Sequence, residues 1–276
     1  MLKMNKYMEE TASLIGEVRK KKPLIHNITN YVTVNDCANV VLAIGASPIM
    51  ADDIGEAADI TSISSALVIN MGTLNQRTIA SMLSSGEKAN EMGIPVVFDP
   101  VGAGASALRN ETAKTILGKV KVSVLRGNLS EISYIAGFNA TTKGVDASES
   151  DIQTNDGIAV AKAVAAKLGC VVAITGETDI ISDGERVITI SNGHKMLSNV
   201  TGTGCMTTAL VGSFCGAAED YLIATAAGVA AMGISGEVAW ERAGDKGTGS
   251  YHIAIIDAIS QLNENTYKER LRIHEI

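Results

Sequence analysis

Three observations predict an α/β fold built on a mostly parallel sheet with helices covering both faces. The first is alternation: apolar runs of strand length take turns with longer helical patterns along most of the 276 residues. The second is composition, 46% hydrophobic against 19% charged, enough for a sizeable buried core. The third is position. The motifs richest in glycine and charge stand where strands give way to helices, and open parallel sheets bind ligands beyond the carboxyl ends of their strands.

Lysines and glutamates run through the first turns of the chain, and Arg19-Lys20-Lys21-Lys22 reads as a solvated helix end. Helix-like Val34–Ile44 precedes a strand at Ala46–Met50. A second strand, Ala66–Asn70, feeds the helical pattern Gln76–Met92, and a third, Pro95–Pro100, feeds Ala107–Leu117. Strand Val122–Arg126 is followed by helix Glu131–Ala136, then by the polar stretch Thr141–Asn155, which predicts a mobile loop. Helix Gly157–Leu168 leads to strand Val171–Thr175. Asp183-Gly184 joins Asp179–Ser182 to Glu185–Ile190 as a hairpin, with Asn192-Gly193 as a further turn. Beyond lie helices at Cys205–Cys215, Tyr221–Ala239 and Tyr251–Lys268. The glycine-rich Gly244–Ser250 serves as a connector. No repeat or compositional break divides the chain, so one domain over residues 1–276 is expected.

Several functions are disfavoured. A net charge of −7 and 4% aromatic residues argue against nucleic acid or an anionic membrane as partner. The longest apolar run, Tyr221–Ile234, is short of a membrane span and rich in Ala and Gly, which suits close helix packing. Four cysteines (37, 170, 205 and 215) form no Cys-x-x-Cys pair, and the N-terminus lacks the apolar core of a secretory signal; both fit a cytoplasmic location. His26, His194, His252 and His274 have no metal-ligand spacing, and a Walker-type phosphate loop is absent. Gly102-Ala103-Gly104-Ala105-Ser106-Ala107 matches a dinucleotide fingerprint. Asp99 beside it would repel a pyrophosphate unless a metal intervened, and Arg126 stands where the ribose-binding acid is expected. An NADP-dependent oxidoreductase is the weaker alternative.

The strand ends carry the chemistry. Three consecutive strands deliver Asp99, then Arg126 with Asn128-x-x-Glu131, then Thr175-Gly176-Glu177 to one rim. The loop Asn199-Val200-Thr201-Gly202-Thr203-Gly204-Cys205-Met206 runs into an apolar helix. Its glycines let backbone N–H groups approach an anion, and the helix start adds unpaired donors and a positive dipole end. Cys205 falls in the first turn, where a thiolate is favoured. These residue types together suit phosphoryl transfer from a nucleotide. Asp99 and Glu131 are the candidates for Mg²⁺, held through water, and Arg126 offers a bidentate fork for phosphate oxygens. Plainer roles stay open: a turn residue before Pro100 for Asp99, an ordinary first-turn glutamate for Glu131, strand-end core for Met50.

With these residues assembled, nearly the whole chain resembles the hydroxyethylthiazole kinases of the ribokinase-like superfamily, a three-layer fold. The specific pieces are Pro23–Asn30, Gly45–Ala51, Asp99–Gly104, Arg126-Gly127-Asn128-x-x-Glu131, Thr175-Gly176-Glu177 and Thr201–Cys205. The resemblance implies ATP- and Mg²⁺-dependent phosphorylation of the primary alcohol of 4-methyl-5-(2-hydroxyethyl)thiazole in thiamine salvage. It carries over Met50 and Gly202 as thiazole contacts, Arg126 and Thr175 as ATP contacts, and the Thr-Gly-Thr-Gly loop, with Gly202 and Gly204, as the anion hole. It also implies a homotrimer whose thiazole pocket, with Asn27 and Met50, is completed across a subunit interface. Cys205 stands where the superfamily's sugar kinases, and typically the hydroxymethylpyrimidine kinases and NAD(P)H-hydrate dehydratases, carry an aspartate. It is expected to orient the substrate hydroxyl. A catalytically silent ligand-binding relative would lose at least one of Asp99, Arg126, Glu131 and Cys205, and all four are present.

Overall fold

The computed structural model describes residues 2–137 and 149–276. Six parallel strands run from one edge of a single sheet: β1 (Leu24–Ile28), β2 (Ser47–Ile49), β3 (Ala66–Asn70), β4 (Val96–Asp99), β5 (Val124–Gly127) and β6 (Val171–Ile174). β7 (Asp179–Ser182), β8 (Val187–Ile190) and β9 (Ile273–Glu275) extend it antiparallel. The strand order is β2-β1-β3-β4-β5-β6-β7-β8-β9, so the two edges are three-residue strands.

Eleven helices are described: α1 (Leu2–Lys21), α2 (Val34–Ile44), α3 (Ala57–Ser62), α4 (Gln76–Met92), α5 (Ala107–Lys119), α6 (Leu129–Ala136), α7 (Glu149–Leu168), α8 (Thr203–Cys215), α9 (Tyr221–Ala243), α10 (Thr248–Gln261) and α11 (Glu264–Arg270). The period of two along each strand divides their side chains between two cores. Ile25, Val68, Val97 and Val124 pack under α1, α2, α8, α9 and α10. Leu67, Ile69, Phe98 and Leu125 pack against α4, α5, α6 and α7 on the opposite face. The result is the three-layer arrangement that alternating elements predict.

Local chemistry sets many boundaries. Asn75 and Asn128 open α4 and α6 with capping boxes, and Ser106, Asp220 and Asn263 cap α5, α9 and α11.

Several elements differ from the sequence expectation. β1 is buried, yet His26 and Asn27 give it a polar look that hides a strand. α3 and β9, six and three residues long, were too short to register. The expected loop 141–155 lies outside the described residues as far as 148, and its end belongs to α7, which starts at Glu149 rather than Gly157. The single helix expected over Tyr251–Lys268 breaks at Leu262, because Asn263 caps a new helix. α9 is also longer than its apolar run. At 23 residues it is long and apolar enough to cross a membrane, but 94% of its most apolar window is buried inside the protein, where it packs against α8 and α10. Its small residues serve helix packing, as the sequence implied.

Candidate active site

The carboxyl ends of β3, β4, β5 and β6 meet the N-terminus of α8, and the candidate residues gather there. Asp99 ends β4 and is fully buried. Its Oδ2 accepts hydrogen bonds from Thr208 Oγ1 at 2.7 Å and Asn70 Nδ2 at 2.9 Å, and Arg126 Nη1 lies 3.4 Å away. Oδ1 is buried with no partner among the described residues. Burial pushes the Asp99 carboxyl up to about 6, against the pull of Arg126 and the Thr208 hydroxyl.

Arg126 is 12% exposed and donates from Nη2 to Thr175 Oγ1 at 2.5 Å, while its Nε is buried without a partner among the described residues. The guanidinium lies against Gly204: a Cβ there would stand 2.9 Å from Nη1. Asp179, which sequence reasoning missed inside the hairpin, accepts from the Gly176 N–H at 3.0 Å and so holds the loop after β6. Burial pushes its carboxyl up to about 7, opposed by that N–H and by Arg126.

Gly202 caps α8 with φ of +86°, a left-handed conformation that suits glycine, and a Cβ there would come 2.4 Å from Thr33 Cγ2. The first helical bond runs from Met206 N to Gly202 O at 2.8 Å. The N–H groups of Thr203, Gly204 and Cys205 therefore have no acceptor within the helix and sit at its positive end, beside Arg126. Thr203 Oγ1 donates back to Leu197 O at 3.1 Å, which fixes the loop.

Cys205 is the partly exposed cysteine. Cys37, Cys170 and Cys215 are buried, and burial pushes each thiol up to about 12. The Cys205 sulfur accepts from Asn30 Nδ2 and from Asn70 Nδ2, both at 3.3 Å. Asn70 Oδ1 accepts from the Gly72 N–H at 2.9 Å, and a backbone N–H can only donate, so the Asn70 amide has one orientation. Its Nδ2 hydrogens then reach Asp99 on one side and Cys205 on the other. Asn70, Thr208 and Asn30 were not singled out from sequence. The first two look like the ends of apolar runs, and Asn30 is one polar residue among several in its motif.

Glu131 fills the plainer role first. Its Oε2 accepts from Asn128 N at 2.9 Å in the capping box of α6, and Oε1 accepts from Gly102 N at 2.8 Å. It thus ties the turn after β4 to the start of α6, next to Asp99. The same contact explains why the Gly102–Ala107 motif is a poor pyrophosphate seat: the Gly102 N–H is taken by Glu131 and the Gly104 N–H by Asn110 Oδ1 at 2.7 Å. Among the described residues, no cluster of three or more His, Cys, Asp or Glu side chains could hold a metal by itself. Mg²⁺ needs only one or two carboxylates when water and phosphate oxygens complete its shell, and the unpartnered Asp99 Oδ1 is a fitting acceptor.

Beside this rim lies a cavity of about 190 Å³, lined by Asn27, Thr29, Tyr31, Val34, Met50 and Asp52 together with the start of α4. It brings Asn27 and Met50 together. Asn27 donates from Nδ2 to Ile25 O at 2.9 Å, and its Oδ1 is buried with no partner among the described residues. Gly202 and Cys205 do not line this cavity. They flank it through the segment 30–34, where Asn30 touches Cys205, Thr33 packs on Gly202, and Val34 faces the cavity.

The chain matches the model of the hydroxyethylthiazole kinase family over residues 15–265. It is 77% identical over 273 residues to a hydroxyethylthiazole kinase of Ruminiclostridium cellulolyticum, covering 99% of this chain and 100% of that one. A hydroxyethylthiazole kinase of Clostridium beijerinckii is 68% identical over 99% of each chain. The solved hydroxyethylthiazole kinase of Pyrococcus horikoshii superimposes with a TM-score of 0.88 at 38% identity, over 96% of this chain and 98% of that one. Pyridoxal kinase of Bacillus subtilis, solved with ADP, reaches a TM-score of 0.56 at 15% identity over 77% of this chain and 91% of that one. That is a likeness of fold, of the ribokinase-like kind.

Proposed function

The chain belongs to the hydroxyethylthiazole kinase family, and we propose that it transfers the γ-phosphoryl group of ATP to the primary alcohol of 4-methyl-5-(2-hydroxyethyl)thiazole, a step of thiamine salvage. One observation carries this reading. The N–H groups that open α8 stand between a cation with a buried carboxylate on one side and a small cavity holding Met50 on the other. A nucleotide phosphate and a small alcohol would meet there.

In this mechanism Arg126 and Thr175 hold the ATP phosphates, and the N–H groups of Thr203, Gly204 and Cys205 take up the charge of the transferring group. Asp99 and Glu131 would hold Mg²⁺ through its waters, and the ion, when bound, offsets the phosphate charge. Met50, an adaptable thioether, and Asn27 seat the ring. Gly202 shapes the loop beside it. The alcohol oxygen attacks the γ-phosphorus, the bond to the bridging oxygen of the β-phosphate breaks, and ADP leaves. Cys205, whose sulfur is already an acceptor, orients the hydroxyl and assists loss of its proton. Because positioning and charge stabilisation dominate phosphoryl transfer, a strong base is unnecessary.

The same reading includes a homotrimer in which a neighbouring subunit completes the cavity. In support, Tyr31 lines the cavity yet is 77% exposed, and Val32 and Ile54 on the same loops are also exposed. Light scattering checks this: a mass of three chains is expected, and a monomer with full activity would overturn it. Reduced thiols suit a cytoplasmic location.

The activity is tested by ADP release with ATP and Mg²⁺, comparing hydroxyethylthiazole, hydroxymethylpyrimidine and no added alcohol. Thiazole-dependent release is expected. Release with the pyrimidine alone would move the chain to another acceptor, and none with either would leave a ligand-binding protein.

A further inference from the structure

His26 sits in the middle of β1, fully buried, and takes no part in the steps above. Its Nε2 lies 2.7 Å from Ala51 O and its Nδ1 2.8 Å from Thr61 Oγ1. Burial pushes the imidazole pKa below its ordinary value, so the ring is neutral. A carbonyl can only accept, which puts the ring hydrogen on Nε2 and leaves Nδ1 an acceptor; the one hydrogen of the Thr61 hydroxyl is shared between Nδ1 and the Ala57 carbonyl, 2.9 Å from Oγ1.

The Ala51 carbonyl matters because of where β2 ends. β2 is an edge strand of three residues paired with β1 alone, and its last rung joins Ile49 to His26 itself. Met50, Ala51 and Asp52 run beyond the ladder, and Met50 and Asp52 line the cavity. From the far side α4 fastens this segment. Ser81 Oγ donates to Asp52 O at 2.8 Å, and Arg77 makes two bonds of 2.9 Å to the Asp52 carboxylate. From the sheet side the His26 ring supplies the hold that a further backbone rung would give.

We propose that His26 is a positioning residue for the acceptor alcohol: its Nε2–H holds the Ala51 carbonyl and thereby sets Met50 as a fixed wall against the ring of the substrate. This rests on the cavity being the thiazole seat. The wall is then determined from two sides, which makes the pocket selective in shape although a thioether lines it.

Substitutions that divide the imidazole's two contacts test this. In His26→Gln the amide N–H₂ occupies roughly the place of Nε2 and keeps the Ala51 bond; in His26→Asn it reaches only the Thr61 side. KM for hydroxyethylthiazole should rise about tenfold in His26→Asn and stay within about threefold of wild type in His26→Gln, while KM for ATP moves less than about twofold in both. Equal thiazole KM values in the two variants would overturn the proposal, as would KM values for thiazole and ATP that rise together. Melting temperatures of the two variants separate a positioning effect from general loosening. If His26→Asn fails to fold, Thr61→Val decides. It removes the bond that orients the ring and should raise KM for the thiazole about threefold, and an unchanged KM would sink the idea. A wild-type protein without thiazole-dependent ADP release would instead refute the underlying function, so the two failures are distinct.

Discussion

Cys205 receives two hydrogen bonds from carboxamides and stands at the first turn of α8. Cys205→Asp should keep turnover within about tenfold, since an acceptor remains beside Asn30 and Asn70, whereas Cys205→Ala should lose about 10- to 100-fold in kcat with little change in KM for ATP. Steady-state rates decide; an aspartate variant as slow as the alanine one would show that the thiol has chemistry an oxygen acid lacks. Gly204→Ala places a methyl 2.9 Å from Arg126 Nη1, so the guanidinium must shift. KM for ATP should rise about tenfold, roughly one charge-assisted hydrogen bond weakened, with KM for the alcohol nearly constant. Asp179 makes a prediction in pH. Its carboxyl sits near 3.8 in an unfolded chain and is pushed up to about 7 by burial in the fold. Between those values the folded protein holds a proton the unfolded chain has lost, so stability falls as pH rises from about 4 to 7. Asp179→Asn should flatten that decline in melting temperature, leaving the contribution of Asp99; an unaltered slope would show that Asp179 is ionised when folded. At this scale the sequence disclosed the charged and glycine residues, because their chemistry is rare at strand ends. It hid Asn30, Asn70 and Thr208, whose importance comes from partners distant in the chain, as with Thr208 and Asp99, 109 positions apart.

α8 carries the anion-binding N–H groups at one end and is held along its length by glycine contacts. A Cβ on Gly228 of α9 would fall 2.7 Å from the backbone N and Cα of Val211 in α8. Backbone cannot step aside as a side chain can, so Gly228→Ala should cost about 3 kcal/mol, read as a lower urea midpoint with unchanged slope. A neutral result would mean that the two helices slide freely against each other. Most elements were legible because their signals are local. Val34–Ile44, Ala66–Asn70 and Gln76–Met92 lie where their patterns put them. The failures share a cause. β1 carries a histidine whose ring is answered by Ala51 and Thr61 from elsewhere and an asparagine that bonds within its own strand to Ile25 O, and Asn263 interrupts a helical pattern by capping rather than by breaking periodicity.

For the molecule as a whole, layers were legible and order was not. Alternation of strands and helices implies a covered parallel sheet, but the placing of β1 between β2 and β3 depends on crossovers that no local pattern encodes. The burial of α9 is likewise a property of the assembly: the same apolar helix outside this sandwich would suit a bilayer. The sheet's two margins have a consequence for how the protein behaves when crowded. A wide apolar sheet is a template for polymerisation wherever a long strand lies bare along its border, since unpaired peptide groups recruit a strand from another molecule. Here each border is three residues long, and on one of them Pro48 lacks the N–H that a recruit would need. A concentrated solution of this protein should therefore resist fibril growth from its native state, whatever hazard its apolar strands present while folding.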